Sequence, residues 1–261
     1  MPRRGSFRSH RYSGTVVLAL VTIAVGAALL SGCSSSAVPG APPASQGIVQ
    51  NRAVPSIPMV NQNGAPTTLA AFRGRTVVLA PMLTLCQEVC PLTTENLALV
   101  QQAVEKAGLG QQVAVVEYSV DPDRDTPARL AAYAKVAGVS WTLLTGTDAN
   151  VTAMNSFFYV EAQKVAEGSP PQLDWWTHQP LTYDVDHSDG FFIIDPSGHE
   201  RFATAATPDV SSHKLPTALN AMLDTQGEQN LNDPMINGQV WTVPQALSDL
   251  GWVVHRSIPA A

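Results

Sequence analysis

Two cysteines, Cys86 and Cys90, flank Gln87-Glu88-Val89, and Pro91 follows at once. A thiol pair at this spacing can close into a disulfide, exchange a disulfide with a partner, or hold a soft metal ion as thiolates. Pro91 suits the first position of a helix and biases Cys90 away from helical angles. Cys90 is therefore expected near a helix N-cap, with Cys86 in the loop before it. The positive end of a helix favours thiolate over thiol. On the cysteines alone, all three chemistries stay open.

A histidine decides between them. The chain has six. His10 lies in a basic N-terminal stretch. His178, His199, His213 and His255 have no soft ligand near them in sequence and read as surface or turn residues. His187 stands in Asp184-Val-Asp-His187-Ser-Asp-Gly190, just ahead of two short apolar runs. A further acidic block, Ser119-Val-Asp121-Pro-Asp-Arg-Asp125-Thr126-Pro127, contains residues suited to capping a helix, and Asp125 and Thr126 are read that way. Asp121 comes before the cap and is placed to orient a nearby ligand through a hydrogen bond.

The elements that would position these residues follow from apolar patterning. Thr76–Ala80 is a short apolar run that fits a buried strand. Leu92, Leu97, Val100 and Val104 recur at helical spacing from Pro91 to about Ala107, and Gly108 closes that helix. Gln112–Val120 is a second strand, Pro127 to about Ala137 a second helix, Trp141–Leu144 a third strand, and Ala149–Phe158 a third helix. Phe191–Ile194 and His199–Phe202 flank Asp195-Pro-Ser-Gly198 as a hairpin, and Leu215 to about Leu223 is a last helix. This order predicts an α/β protein with a thioredoxin-like fold: a central mixed sheet flanked by helices, parallel first and antiparallel at its end. In that fold the loop before the hairpin faces the strand-to-helix turn, so Cys86, Cys90 and His187 are expected to converge. Two thiolates and an imidazole suit copper(I), whereas zinc normally takes a fourth ligand.

The ends of the chain point to export. Residues 1–32 combine four arginines and no acid with an apolar run of sixteen residues, Thr15 to Leu30. That run is shorter than the ~20 residues a spanning helix needs and has the layout of a secretory signal. Leu30-Ser31-Gly32-Cys33 resembles the bacterial lipobox, which implies lipid on Cys33 and attachment to the outer face of the cell membrane. Residues 33–54, rich in Ser, Ala, Pro and Gly, read as a flexible tether. The domain is expected over residues 55–225. Residues 226–261 form a C-terminal extension of unknown role, in which Pro244–Gly251 suggests a short helix. Loss of residues 1–32 takes the net charge from −6 to −10, which argues against nucleic acid as a partner.

Three blocks together resemble the Sco/SenC family of copper-handling, thioredoxin-like proteins. They are Cys86-Gln-Glu-Val-Cys90-Pro91, the Ser119–Pro127 block, and Val185-Asp-His187-Ser188 running into Phe192–Gly198. The resemblance implies copper, as Cu(I) or Cu(II), on Cys86, Cys90 and His187. It implies a disulfide between Cys86 and Cys90 in the metal-free protein, and places Asp121 near the metal. It further implies a partner in the copper-site subunit of cytochrome c oxidase or another copper protein, to which copper is delivered or whose cysteines are reduced. A metal-free thiol–disulfide oxidoreductase is the alternative. The chain departs from the family pattern at Pro81–Leu85 and at Gln87, where the family usually has an aromatic-rich run and a proline. Glu167–Pro180, with Trp175 and Trp176, looks like an insert near His187, serving either as a docking or gating loop or as an aromatic flap over local core.

Overall fold

The computed structural model describes residues 47–260, so the leader, Cys33 and most of the tether lie outside the described residues. In chain order the strands and helices are β1 (Ile48–Ala53), β2 (Met59–Asn61), β3 (Pro66–Thr67), β4 (Thr76–Met82), α1 (Cys90–Lys106), β5 (Val113–Ser119), α2 (Pro127–Ala137), β6 (Thr142–Thr145), α3 (Asp148–Phe158), β7 (Ala162–Val165), β8 (Asp184–His187), β9 (Phe191–Ile194), β10 (His199–Thr204), β11 (Thr207–Pro208), α4 (Thr217–Asn220), α5 (Thr225–Asn232), β12 (Val240–Trp241) and α6 (Val243–Val253).

The main sheet runs β1-β10-β9-β4-β5-β6-β2-β3. Its centre, β4-β5-β6, is parallel, and the β9–β10 hairpin joins β4 antiparallel. β4 and β5 are buried along their whole length. That explains why they read as continuous apolar runs rather than alternating ones. α1 turns Leu92, Leu97, Val100 and Val104 into the core and packs against α4 and α6. The fold is thus the predicted mixed sheet flanked by helices, parallel at its centre and antiparallel beyond.

Two boundaries are corrected. The predicted tether ends too late: Ile48–Ala53 is an edge strand, with Arg52 opposite Glu200 in β10 and ion-paired to its buried carboxylate. Polar residues fill that strand because one face stays open to water, so its apolar signal is weak. The predicted helix over Leu215–Leu223 shrinks to one turn, Thr217–Asn220, and α5 and α6 follow it. The helix suggested at Pro244–Gly251 is α6, started by a capping box from Thr242 and Gln245. Among the described residues no helix is long and apolar enough to cross a membrane.

An acid sits in the middle of the sheet. Glu117 of β5 is wholly buried. Its carboxylate accepts hydrogen bonds from Trp141 Nε1 (2.7 Å) and Thr94 Oγ1 (3.2 Å), and Thr94 Oγ1 in turn lies 2.8 Å from the Tyr133 hydroxyl. Burial pushes its pKa up to about 7, against the pull of those two hydrogen bonds. Between pH 4.5 and about 7 the folded chain therefore keeps a proton that the unfolded chain has released, and stability falls as pH rises through that window. Glu117→Gln is expected to remove about 3 kcal/mol of that fall, measured by urea denaturation at about pH 5 and about pH 8.

Candidate metal centre

The loop from β4 to α1 carries the first cysteine. Leu83, Thr84 and Leu85 are buried within it, so its backbone must find partners without water. Asp125 supplies them. Its carboxylate accepts from Thr84 N (3.1 Å), Thr84 Oγ1 (2.5 Å) and Ser119 Oγ (2.5 Å). This corrects the reading of Asp125 as a helix cap. Thr126 alone caps α2, accepting from Arg129 N at 3.3 Å. Burial raises the Asp125 pKa to about 6 against the hydrogen bonds of Ser119 and Thr84.

At the far end of the loop α1 begins with no side-chain oxygen as cap. The Cys86 sulfur takes that place, accepting from Val89 N and Cys90 N at 3.4 Å each. Sulfur there gains most as a thiolate, since two N–H groups and the positive helix end face it. The Cys86 pKa is accordingly well below the ordinary thiol value: a hydrogen bond with Cys90 lowers it most, burial opposes, and His187 lowers it further. Cys90 goes the opposite way, raised first by burial and then by the neighbouring Cys86 sulfur. The two thiols are thus unequal, with Cys86 partly accessible and Cys90 buried.

His187 ends β8, which pairs with β7 so that His187 lies opposite Ala162. Ser188 locks that end, donating N–H to Glu161 O while its Oγ accepts from Glu161 N. Gly190, at φ +136°, then turns the chain into β9, and a Cβ there would lie 1.9 Å from Thr204 O. His187 Nδ1 lies 3.1 Å from Ser188 O, which places a proton on Nδ1 and turns Nε2 toward the sulfurs. Nε2 is 3.4 Å from Cys90 Sγ, and the ligand atoms of Cys86, Cys90 and His187 all lie within 4.8 Å of one another. The three residues expected to converge do converge. Burial disfavours protonation of the imidazole, yet its hydrogen bond with Cys86 and the nearby charge of Asp189 raise its pKa to about 9. With two thiols and one imidazole facing a common point, the donor set is soft and fits a monovalent soft cation.

Asp121 acts at one remove. Its buried carboxylate accepts from Arg124 Nε and from the Tyr183 hydroxyl, while Arg124 Nη1 donates to Tyr183 O. Tyr183 immediately precedes β8, so Asp121 positions the strand that ends in His187. The Glu167–Pro180 segment also reaches the loop. Trp175 Nε1 donates to Thr84 O at 2.6 Å, Gln87 Nε2 donates to Leu173 O at 3.0 Å, and Asp174 forms a two-pronged ion pair with Arg129. Trp175 is a flap on the ligand loop, whereas Trp176 is exposed and stacks beside it. Glu88, Asp184 and Asp186 line the cleft in front of Cys86 and His187. Burial first, and then the charge of Cys86 and neighbouring acids, push Glu88 up to about 7.

The SCO1/SenC family model matches residues 48–224. Protein SenC of Rhodobacter capsulatus is 30% identical over 184 residues, covering 64% of this chain and 75% of its own length. The SCO1 protein homolog of Bacillus subtilis is 24% identical over 144 residues, covering 53% of this chain and 66% of its own. The crystal structure of Arabidopsis thaliana ScoI with copper bound aligns with a TM-score of 0.50 at 21% identity, over 67% of this chain and 94% of that one.

The inequality of the two thiols gives a direct expectation. In the reduced, metal-free chain near neutral pH, iodoacetamide is expected to alkylate Cys86 well before Cys90, read by peptide mass spectrometry. His187→Ala is expected to move the pH midpoint of Cys86 labelling upward, because a group that lowers the Cys86 pKa is lost. Equal labelling of both cysteines would contradict the assignment.

Proposed function

The chain belongs to the SCO1/SenC family, and from that premise we propose that it handles copper as cargo, holding one Cu(I) on Cys86, Cys90 and His187 for assembly of the binuclear copper site of cytochrome c oxidase. The observation that carries this reading is the convergence of two cysteine sulfurs and one imidazole nitrogen on a common point. The copper bound in the related Arabidopsis protein supports it. The residues have separate parts: Cys86 offers a ready thiolate at the mouth, Cys90 a buried sulfur behind it, and His187 its Nε2, while Nδ1–H donates to Ser188 O. A lipid on Cys33 would keep the domain at the outer face of the membrane, where such a client resides.

A second reading rests on the asymmetry of the two thiols. A low-pKa, accessible Cys86 attacks a partner disulfide to give a mixed disulfide, and Cys90 then displaces the partner's thiolate. The partner's two cysteines gain two electrons while Cys86 and Cys90 become the disulfide. Delivery of copper and reduction of the receiving cysteines are compatible in one protein.

Titration of the reduced chain with Cu(I) against a chromophoric chelator tests the leading reading. One equivalent is expected to bind. Losing a group that merely orients a ligand costs about 10–100-fold, so Cys86→Ser, Cys90→Ser and His187→Ala are each expected to weaken binding by at least about 100-fold. His187→Ala is expected to retain disulfide exchange. No Cu(I) binding by the wild-type chain would overturn the copper reading and leave the exchange reading standing.

A further inference from the structure

The helix after the family-matched residues is built unlike an ordinary surface helix. α5 reads Thr-Gln-Gly-Glu-Gln-Asn-Leu-Asn, and its buried residues are Gly227 and Asn230. A helix normally turns an apolar stripe to the protein, and glycine in its interior weakens it. Here the buried face, three residues apart along the helix, is polar and lies against the backbone between the two cysteines. Asp224 N donates to Gln87 O at 3.0 Å. Asn230 Nδ2 reaches Glu88 O at 3.4 Å. A Cβ at Gly227 would lie 2.2 Å from Gln87 O and 3.2 Å from Glu88 Cα. Gly227 is therefore required by close approach. Its own N–H is held by the Asp224 cap at 2.7 Å.

A second segment holds the loop as well. The Gln87 side chain bonds Leu173 O, and Gln172 Nε2 lies 3.4 Å from Asp224 Oδ2. Gln87 is thus held by both α5 and the Leu173 segment, and Glu88 by α5. Cys90 is buried at the start of α1, so backbone movement that brings the sulfurs together falls to the loop that carries Cys86. The two cysteines are unbonded, with ligand atoms spread over distances of up to 4.8 Å. A disulfide needs the sulfurs at about 2.05 Å.

We infer that α5 is a clamp on the cysteine loop, with Gly227 and Asn230 as positioning residues that hold Cys86 at ligand spacing and oppose closure of the Cys86–Cys90 disulfide. The clamp deepens the copper reading and rests on it only for its effect on affinity. Its effect on oxidation is independent of metal. In that oxidation the two thiols pass two electrons and two protons to glutathione disulfide, which leaves as two molecules of glutathione.

The test compares the full chain with Gly227→Val, which cannot seat α5, and with Asn230→Ala, which keeps the glycine and serves if the valine variant does not fold. Hydrogen exchange at residues 86–90, oxidation by glutathione disulfide and Cu(I) affinity are read on each. Faster exchange in the loop, oxidation favoured about tenfold and Cu(I) binding weakened about tenfold are expected for Gly227→Val, with smaller changes in the same direction for Asn230→Ala. Wild-type oxidation and Cu(I) affinity in a folded variant whose α5 amides exchange freely would overturn the clamp. If the wild-type chain binds no Cu(I), the copper reading fails on its own, and the oxidation equilibrium still decides for or against the clamp.

Discussion

Helix α1 starts at a buried turn, and its first N–H groups have to be satisfied there. Cys86 supplies the acceptor in the form of a sulfur atom. That one contact ties the local fold to the chemistry. It fixes Cys86 above the helix end, biases it toward thiolate, and places it across from Cys90, which begins the same helix. Everything else around the site either holds the loop that makes this contact or brings His187 to it. Asp125 anchors the loop at Thr84, and Trp175 covers the same residue from the other side.

The electrostatics follow from crowding several ionisable groups into a buried space. Burial raises Asp189 and pushes Glu88 up to about 7, with the charge of Cys86 adding to both, while against its burial His187 is raised by Cys86 and Asp189. The resulting field is negative at the cleft mouth, which draws a cation in, and softest at the sulfurs, which selects among cations. The Nδ1 contact with Ser188 O orients the ring so that Nε2 is the nitrogen offered to an ion, which must displace the proton that the raised pKa keeps there.

Much of this was legible in the sequence where the signal was local. β4, β5, α1, α2 and the β9–β10 hairpin announce themselves by apolar runs, helical spacing, caps and a Pro/Gly turn. Cys86, Cys90 and His187 were legible because their residue types and the thioredoxin-like order of elements agree. What escaped is non-local. β1 is secured by Arg52 reaching Glu200 across 148 residues. β7 has almost entirely exposed side chains and so no alternation to read. Asp125 resembles a cap because its place in the chain is right for one, yet its carboxylate serves a loop 41 residues earlier. Glu117 sits in an apolar run with nothing in its neighbours to reveal Thr94 and Trp141. The grip of Gly227 on Gln87 has no signature beyond a glycine in a polar helix.

The central claim is that two sulfurs and one nitrogen from these residues form the metal's coordination shell. X-ray absorption spectroscopy of the reduced full chain loaded with one equivalent of Cu(I) tests it most directly. Two sulfur neighbours and one imidazole nitrogen are expected, with the nitrogen lost in His187→Ala and one sulfur lost in Cys86→Ser. A shell with fewer than two sulfurs, or one unchanged by His187→Ala, would contradict it.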